Sequence, residues 1–577
     1  MWYNNRIKKI TETDMIFDNF DIKHIYNDLE DINLETYLKK CGVENVETFI
    51  GAYTIEHNGN YDNIIRLSEE FLKFYKTKTA KKTKPLYILL DSDLDGYMSG
   101  SEVYLFVKEL IPEIKLIPIH HSEDNPKAHG LEDDEVMEYL RKAKKGLLWI
   151  PDAGSSNVKE CKELNELGYT IFITDHHKQT KIKEIDGIEY NIDDYAIVVN
   201  NQNGNVQNRC GSGALVTWHC LDMIDKPIAS KLIPYVMISL ISDSMNMNTA
   251  ENYTFSYWGK QRISEHKSLI ALVDRFNYKS GQTNKDYSFG LISKCNATIR
   301  LGTTEDKENL FRLLVNEKNE EETKIIMDRM STLHSKQLEE TKRLVGEIEN
   351  TLDFDKKYIL KKIDEKTALT GLVANKLLSK YGKTVFLLHE RENGEVAGSV
   401  RSNFGGLNAK LNESGLFNYN EGHDTVFGTS YNIDKEKEVI DYLDAFFTHY
   451  KPYIEVLNSY RLNSISEDLF KLRERLDAFN ICGKEIEVPK IHIYPFEVNG
   501  NDYKKLIPSG TMLRLEKGEH IFIFQFISSE LQKYLKVGED TRYKIEIIGE
   551  PQVTQYGNQI LVTDFEVKEN NNWEDIF

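Results

Sequence analysis

Three aspartates directly follow an apolar segment near residue 90, and their spacing suits metal chemistry. Residues 86–90, Leu-Tyr-Ile-Leu-Leu, have the composition of a buried strand, and Asp91, Asp93 and Asp95 come immediately after it. Ligands of open parallel sheets bind at the carboxyl ends of the strands. Carboxylates crowded in this way repel one another unless cations neutralise them. The segment therefore predicts a divalent-metal site at the end of a strand.

Two further strand-like segments end in residues of the same kind. The segment GLLWIP leads to Asp152, and the segment YTIFIT leads to Asp175, His176 and His177. Carboxylates together with imidazoles suit Mn²⁺, Mg²⁺, Fe²⁺ or Zn²⁺ rather than Ca²⁺. An aspartate shared by two ions, with a histidine on one of them, is what a two-metal hydrolase requires.

The pattern D-x-D-x-D-G also occurs in the calcium loop of EF-hands. Glu102 stands six residues after Gly96, which is where that loop carries its last ligand. An EF-hand loop follows a helix, however, whereas residues 86–90 are typical of a strand. We therefore favour the interpretation as a strand end.

The elements that must position these residues form a βαβ pattern. From Pro85 to about Asn248, short apolar segments alternate with amphipathic stretches, which is typical of a buried parallel sheet. The predicted strands are residues 86–90, 114–119, 146–150, 170–174 and 196–200. Parallel strands end at one edge of the sheet, so the aspartates and histidines are expected to meet there.

The rest of the chain changes character in steps. Residues 212–241 predict two buried helices, and residues 304–352 predict one or two long helices. Residues 357–450 return to a mixed α/β pattern. From about Lys484 the pattern is dominated by strands, four or five in under 100 residues, which predicts a small barrel.

Composition excludes several classes of protein. The 577 residues carry a net charge of −19, which argues against a broadly basic DNA-coating protein but not against a nuclease with a local basic channel. The six cysteines form no CxxC pair, which argues against a zinc knuckle or a disulfide framework and favours a reducing cytoplasm. No apolar window is long enough to predict a membrane span, and the start has no secretory signal pattern.

The chain resembles the DHH phosphoesterase family, and within it the RecJ-type single-strand DNA exonucleases. DSDLDG resembles the first family motif, PDAG the second and DHH the third, and Asp243 in LISDSM matches the fourth. The order and the spacings also agree. The segment KCNATIRLG resembles a RecJ-type segment, with Asn296 and Arg300 in the matching places.

The resemblance implies an α/β fold with several parts. A parallel-sheet DHH domain would be joined by long helices to a smaller α/β DHH-associated domain, followed by a β-rich, OB-like C-terminal domain. The expected boundaries are 1–84 for a helical N-terminal extension, 85–303 for the DHH domain, 304–352 for the connecting helices, 353–452 for the DHH-associated domain, and 453–577 for a helical segment plus the OB-like domain.

The resemblance also implies roles for individual residues. Two divalent cations, Mn²⁺ or Mg²⁺, would be held by six residues, with Asp152 as the bridge; the six are Asp91, Asp93, Asp95, Asp152, His176 and Asp243. The implied catalytic residues are Asp152, His176 and His177, with His177 contacting the scissile phosphate or assisting the leaving group. Asp175 would orient the histidines rather than bind metal.

Substrate-binding residues are implied in both halves of the chain. GSVRS and EGHDTVFG resemble the two phosphate-contacting motifs of the DHH-associated domain. Together with the segment around residue 296, they suggest that the DNA backbone is bound by Asn296, Arg300, Ser399, Arg401, Gly422, His423 and Gly428. Arginine suits phosphate because its planar fork can donate two parallel hydrogen bonds.

Two departures from the family pattern stand out. Glu421 occupies the place of a family glycine and puts a negative charge beside an expected phosphate. The family also carries a basic residue between a strand and a following Gly-Tyr-Gly segment. No such residue is evident in the corresponding stretch of this chain, IPIHHSED followed by KAHGL, which contains His120, His121 and His129 instead. These histidines either replace the basic group or cap the strand, and we favour the cap.

The implied function is a metal-dependent 5′→3′ exonuclease that hydrolyses single-stranded DNA to 5′-mononucleotides in DNA repair, recombination or replication. Single-stranded DNA is the expected partner, and a single-strand-binding protein or a helicase is a candidate protein partner. We expect a cytoplasmic monomer that does not bind a membrane. The alternative is a phosphodiesterase of short oligoribonucleotides or cyclic dinucleotides. A third reading, a scaffold that has lost its metals, is disfavoured because every expected ligand is present.

Overall fold

The computed structural model describes most of the chain. The described residues are 21–26, 31–51, 61–123, 125, 128–185, 187–277, 283–353, 355–363, 369–391, 393–423, 425–448, 453–479, 481–483, 485–525, 527 and 529–568. They form two compact units. The first unit comprises the described residues of 41–338 and 479–487, and the second unit comprises those of 1–40, 339–478 and 488–577. None of the described helices is long and apolar enough to cross a membrane.

The N-terminal part is mostly helical where it is described. Its elements are β1 (Asp21–His24), α1 (Leu34–Lys40), α2 (Val46–Gly51), α3 (Ile64–Phe74) and α4 (Lys78–Thr83). In α3 the buried residues Ile64, Leu67 and Phe71 recur at helical spacing, which explains why this segment folds as an amphipathic helix. The predicted helical extension also covers residues 1–20, 27–30 and 52–60, which lie outside the described residues.

A parallel sheet is the centre of the first unit. The elements of this region are β2 (Leu86–Leu89), α5 (Leu94–Leu110), β3 (Leu116–Ile119), α6 (Asp134–Lys142), β4 (Leu147–Pro151), α7 (Val158–Glu166), β5 (Thr170–Asp175), β6 (Ile182–Ile185), β7 (Ile188–Asn191) and β8 (Ile197–Asn200). Five strands pair in parallel, as predicted, and their order is β3-β2-β4-β5-β8; β6 pairs with β7 as a separate hairpin. Every residue of β2 and β4 is buried, as in a sheet covered on both faces.

The order of this sheet determines where a ligand can bind. The chain runs from β2 to β3 on one side and later returns to β4 on the other side, so the strand order reverses between β2 and β4. In doubly wound sheets the crevice outside the carboxyl ends of two such strands is the usual binding site. The first and second aspartate segments follow β2 and β4.

Helices complete the first unit and lead into the second. They are α8 (Gly213–Ile224), α9 (Lys226–Ser230), α10 (Ile233–Ser242), α11 (Ala250–Arg262), α12 (Lys267–Phe276), α13 (Asn284–Tyr287), α14 (Ser293–Leu301), α15 (Thr304–Leu314) and α16 (Glu320–Glu349). The two buried helices predicted at 212–241 are α8 and α10, with the short α9 between them. The long helices predicted at 304–352 are α15 and α16, and the unit boundary falls within α16.

A mixed sheet forms the first part of the second unit. Its elements are β9 (Ile359–Lys362), α17 (Thr370–Tyr381), β10 (Val385–Glu390), β11 (Glu395–Arg401), α18 (Leu407–Glu413), β12 (Tyr419–His423), β13 (Val426–Asn432) and α19 (Glu436–Thr448). The strand order is β12-β13-β11-β10-β9, with β9 parallel to β10 and the other pairs antiparallel. Phe386, Val400 and Leu443 are among the side chains of its core. The predicted mixed α/β pattern is confirmed.

The C-terminal part is a β-rich structure. Its elements are β14 (Tyr453–Val456), β15 (Ser459–Tyr460), α20 (Asp468–Phe479), β16 (Ile491–Asn499), β17 (Tyr503–Lys505), β18 (Met512–Lys517), β19 (His520–Gln525), α21 (Ser529–Tyr534), β20 (Arg542–Thr554) and β21 (Gly557–Lys568). The strands pair in the order β15-β16-β20-β21-β19-β18-β17, and β14 pairs with β1 in parallel.

These strands close into a barrel of the predicted OB-like type. Only a single 3₁₀ turn, Gly500–Asp502, separates β16 from β17, so the two form one bent strand that pairs with β20 at one end and with β18 at the other. We count the bent strand β16–β17 as strand 1, and β18, β19, β20 and β21 as strands 2 to 5. The strands then pair around the barrel in the order 1-2-3-5-4-1. Strands 3 and 5 are parallel, and α21 lies between strands 3 and 4. This five-stranded arrangement is that of an OB barrel.

Candidate metal centre

The implied metal ligands come together where the order of the parallel sheet reverses. Among the described residues, three overlapping groups of side chains each have their ligand atoms within 4.8 Å of one another. The groups are Asp91–Asp93–Asp152, Asp95–His176–Asp243 and Asp152–His176–His177. All six expected ligands, together with His177, therefore form one cluster.

Asp152 is shared by two of these groups and is buried. Its Oδ1 lies 3.3 Å from His176 Nε2. Burial and the charges of four neighbouring aspartates raise the pKa of Asp152 well above its usual value. A buried carboxylate in such a negative field gains most from bound cations, so the donor set suits divalent ions such as Mn²⁺ or Mg²⁺.

The backbone of Asp152 is itself unusual. Its φ is +71°, a conformation that is uncommon for residues other than glycine and is often found at functional sites. The Asp152 N–H donates to the Thr174 carbonyl at 2.7 Å, which ties this turn to β5. The strained turn directs the carboxylate towards the histidine that follows β5.

His176 lies between carboxylates from three elements. Besides Asp152, its Nε2 lies 3.5 Å from Asp243 Oδ2 and 3.9 Å from Asp95 Oδ2. Asp243 is the C-cap residue directly after α10, and Asp95 lies in the first turn of α5. One imidazole thus joins side chains that are far apart in the chain.

Asp95 is held by donors as well as by its place in the cluster. The N–H groups of Gly213 and Ala214, at the start of α8, donate to its carboxylate at 2.9 and 3.0 Å, and Ser239 Oγ donates at 2.5 Å. A helix N-terminus favours a negative charge in this position. Burial and Asp93 nevertheless outweigh these hydrogen bonds and raise the pKa of Asp95 to about 6.

Asp91 contacts two of the histidines that depart from the family pattern. Its Oδ2 lies 2.8 Å from His129 Nδ1, and its Oδ1 accepts from the Gly130 N–H at 3.1 Å and lies 3.7 Å from His121 Nε2. Burial opposes the charge on Asp91, but the two histidines hold its pKa well below the usual range. In return, Asp91 raises the pKa of His129 to about 9.

Asp175 contacts both histidines of its motif. Its Oδ1 accepts from the backbone N–H of His176 at 2.7 Å and lies 2.8 Å from His177 Nδ1. Its Oδ2 accepts from the Ser155 N–H at 3.1 Å. Burial lowers the pKa of His177, but Asp175 outweighs it and raises that pKa to about 10. This geometry supports the expected role of Asp175 in orienting the histidines.

Asp93 precedes α5, and Asn296 and Arg300 of α14 lie close to this start of the helix. Asp93 caps this helix by accepting from the Gly96 N–H at 3.2 Å. Asn296 Oδ1 accepts from the Leu94 N–H at 3.1 Å, which joins α14 to the same turn. Burial lowers the pKa of Arg300, while the charge of Asp93 acts in the opposite direction. Both expected substrate-binding residues of the first unit therefore adjoin the metal cluster.

The other expected substrate-binding residues lie on three neighbouring strands of the second unit. Ser399 in β11 is opposite Gly428 in β13, and Gly422 in β12 is opposite Phe427. Arg401 Nη1 donates to the Val400 carbonyl at 2.8 Å. The backbone of His423 belongs to β12, but the side chains of Glu421 and His423 lie outside what the structure describes.

Some contacts of the cluster were missed by reasoning from sequence. Ser239, which donates to Asp95, had a usable signal, because it lies four residues before Asp243 and so on the same face of α10. His121 and His129 were noted, but nothing in the sequence pairs them with Asp91. His120 instead contacts Tyr97 at 2.9 Å and Glu308 at 2.7 Å.

The EF-hand alternative is wrong. The D-x-D-x-D-G segment runs from the end of a parallel strand, β2, into the first turn of α5, and so does not link two helices. Glu102 is fully buried in α5, and burial and the charge of Asp95 raise its pKa well above the usual value. Glu102 therefore does not act as the last ligand of a calcium loop.

Comparison with known proteins gives a consistent result. Residues 85–241 match the N-terminal domain of the DHH family. The chain is 28% identical over 447 residues to YorK, an SPbeta prophage-derived protein of Bacillus subtilis (strain 168) that is named as a single-strand DNA-specific exonuclease; the match covers 70% of this chain and 72% of YorK. It is 22% identical over 541 residues to the single-stranded-DNA-specific exonuclease RecJ of the same organism, covering 86% of this chain and 64% of RecJ.

The fold comparison extends over almost the whole chain. The crystal structure of RecJ from Thermus thermophilus in complex with Mn²⁺ superposes with a TM-score of 0.69 at 15% sequence identity. The superposition covers 95% of this chain and 79% of that one. Residues 85–241 therefore match the N-terminal domain of the DHH family, and the chain is similar over most of its length to RecJ-like single-strand DNA-specific exonucleases.

Proposed function

We propose that this protein is a metal-dependent exonuclease that hydrolyses single-stranded DNA in the 5′→3′ direction and releases 5′-mononucleotides. The observation that carries the proposal is the cluster at the reversal of the sheet, where three overlapping ligand groups adjoin Arg300 and Asn296. The similarity to YorK and RecJ supports single-stranded DNA as the substrate. DNA repair, recombination or replication is the matching cellular role.

The residues of the cluster have two proposed roles, cation binding and contact with the phosphate. Asp91, Asp93, Asp95, Asp152, His176 and Asp243 would hold two divalent cations, Mn²⁺ or Mg²⁺. When bound, such cations activate water and neutralise charge at a phosphate. His177, half-exposed and oriented by Asp175, would contact the scissile phosphate or assist the leaving group. Because these groups suffice for hydrolysis, no nucleophilic side chain is needed.

The second unit would bind the strand rather than take part in the chemistry. Ser399, Arg401, Gly422, His423 and Gly428 lie on β11, β12 and β13, at neighbouring positions of the sheet. A guanidinium such as that of Arg401 suits a phosphate oxygen. The division into five parts at 84, 303, 352 and 452 remains our proposal for the domain boundaries, and a monomer remains our expectation.

A long substrate is favoured by the C-terminal barrel. OB folds bind oligonucleotides with the loops between strands 1 and 2 and between strands 4 and 5. In this barrel, Leu506 and Ile507 in the first of these loops are 44% and 41% exposed, and Tyr556 in the second is 80% exposed. Lys505 is exposed beside the first loop. Apolar and basic groups of this kind suit stacked bases and a phosphate backbone.

Substitution of Tyr556 tests the role of the barrel. Tyr556→Ala is expected to weaken binding to a long single strand by about 5- to 150-fold, since stacking on an aromatic side chain is worth about 1–3 kcal/mol per base. Cleavage of a dinucleotide should be unchanged. Fluorescence anisotropy with a labelled strand, in Ca²⁺ to prevent cutting, measures the affinity. Tyr139→Ala is the control, because Tyr139 is 45% exposed on a helix of the first unit.

Digestion of end-labelled strands tests the function itself. With Mn²⁺, a 5′-labelled single strand should release labelled mononucleotide at once, whereas a 3′-labelled strand should shorten gradually. Duplex DNA and single-stranded RNA serve as comparison substrates. Early release of the 3′ label would contradict the polarity. Activity confined to short oligoribonucleotides or cyclic dinucleotides would instead establish the alternative function of the same site.

A further inference from the structure

His129 reaches back from the loop between β3 and α6 to the end of β2. Its Nδ1 lies 2.8 Å from Asp91 Oδ2, and the neighbouring Gly130 N–H donates to Asp91 Oδ1 at 3.1 Å. The side chain of His129 is 55% exposed, whereas that of Asp91 is buried. The ring therefore extends from a buried carboxylate of the metal cluster towards solvent.

His177 is held in the same way. Its Nδ1 lies 2.8 Å from Asp175 Oδ1, and its side chain is 50% exposed above a buried carboxylate. In both rings Nδ1 meets the aspartate, so Nε2 is the nitrogen that can reach a substrate. A carboxylate on one ring nitrogen fixes the orientation of the other. The site thus presents two imidazoles that are oriented by matching contacts.

The two rings are close enough to act on one phosphate group. Their centroids are 6.3 Å apart, with 54° between the ring planes. Hydrogen bonds from nitrogen to a charged oxygen are about 2.8 Å long, so two donors on either side of a phosphate stand several ångströms apart. Aspartates dominate the neighbourhood and repel phosphate, so a donor at the rim of the cluster has a large effect on binding.

We propose that His129 is a second substrate-contacting imidazole of this site, which binds a phosphate of the strand through Nε2 together with His177. The proposal rests on the proposed function, because it assigns the bound phosphate to a nucleic-acid strand. The competing role is purely structural: His129 would only hold Asp91 in place. The two roles use different nitrogens of the same ring, and this makes them separable.

Asparagine and glutamine each replace one of the two nitrogens. The amide nitrogen of an asparagine at this position lies near the place of Nδ1 and can keep the contact with Asp91. The longer side chain of glutamine places its amide near Nε2 and loses that contact. His129→Asn, His129→Gln and His129→Ala therefore form a matched set. For each variant we would measure KM and kcat on single-stranded DNA, strand affinity in Ca²⁺, and Mn²⁺ affinity by titration.

Contact through Nε2 predicts a particular ranking. His129→Ala and His129→Asn should raise KM and weaken strand binding by about ten- to a hundredfold, the effect of losing one hydrogen bond between charged groups. His129→Gln should recover part of this loss. The Mn²⁺ affinity of His129→Asn should match that of the unmodified protein, because the contact with Asp91 is retained.

Two results would overturn the proposal. The first is a His129→Asn variant with unchanged KM, kcat and strand affinity, whether or not the other variants are impaired. The second is a loss in all three variants that follows a loss of Mn²⁺ affinity, which would show that His129 only anchors Asp91. If the unmodified protein does not cleave single-stranded DNA, the proposed function fails. The same ranking can then be measured on bis(p-nitrophenyl) phosphate, which decides the role of His129 separately.

Discussion

Replacing Asp152 by asparagine is expected to abolish hydrolysis and, at the same time, to stabilise the metal-free protein. Asp152 is buried, belongs to two of the three ligand groups, and lies 3.3 Å from His176. Asparagine retains only one neutral oxygen and loses the negative charge, so binding and activation by the cations should weaken. We expect a loss of about a thousandfold or more in rate, since several kcal/mol of metal-ion stabilisation are at stake and each 1.36 kcal/mol is tenfold.

The opposite effect on stability follows from the same electrostatics. In the metal-free protein, burial and four neighbouring aspartates raise the pKa of Asp152 well above its usual value. Between the unfolded and the folded pKa, the native state therefore keeps a proton on Asp152 that the unfolded state has lost. Stability consequently falls as the pH rises from the unfolded pKa, near 4, through the raised folded pKa. Asparagine carries no charge, so the variant should escape this loss at neutral pH.

Thermal unfolding with and without Mn²⁺ measures both effects. The unmodified protein should gain stability on addition of Mn²⁺, because a ligand that binds only the native state stabilises it. Asp152→Asn should start from a higher midpoint in EDTA and gain less from Mn²⁺. Asp274→Asn is the control, because Asp274 is exposed on α12 in the same unit. Wild-type turnover by Asp152→Asn would contradict the assignment of this residue to the metal centre.

The sheet and the place of the site could be predicted because the relevant signals are local. The apolar residues before Asp91 and Asp152 are buried on both faces, so they form continuous hydrophobic segments that are visible in the sequence. A general rule about the carboxyl ends of parallel strands then locates the aspartates. The resemblance to the DHH family adds Asp243, which lies at the end of a helix and has no such local signal.

The contacts that adjust the site could not be predicted, because they join distant segments. Asp95 receives hydrogen bonds from Gly213 and Ser239, more than a hundred residues further along the chain. His129 and Asp91 are 38 residues apart and meet only because a loop folds back over the end of β2. Closure of the barrel likewise depends on the bent strand formed by β16 and β17, whose two partners are set by tertiary packing.

Gly213→Ala is expected to impair the metal centre without removing any ligand. Gly213 begins α8, and its N–H donates to Asp95 at 2.9 Å. A Cβ at this position would lie 2.2 Å from Asp152 Oδ1 and 2.7 Å from Asp152 Cα. Contacts that short cannot persist, so either α8 or the turn that carries Asp152 must move. Misplacement of a catalytic group by about 1 Å can cost a hundredfold in rate, and overpacking typically costs about 1–3 kcal/mol of stability.

The matched control for this variant is Gly346→Ala in α16, where an added Cβ has no atom within 4 Å. Alanine should stabilise that helix by about 0.5–1 kcal/mol and leave turnover unchanged. Turnover of single-stranded DNA, Mn²⁺ affinity and thermal unfolding should be measured for both variants. A Gly213→Ala protein with unchanged turnover and Mn²⁺ affinity would show that the start of α8 can move away from Asp152 at no functional cost. A loss confined to Gly213→Ala would show that the close approach of this glycine to Asp152 is required for the geometry of the metal centre.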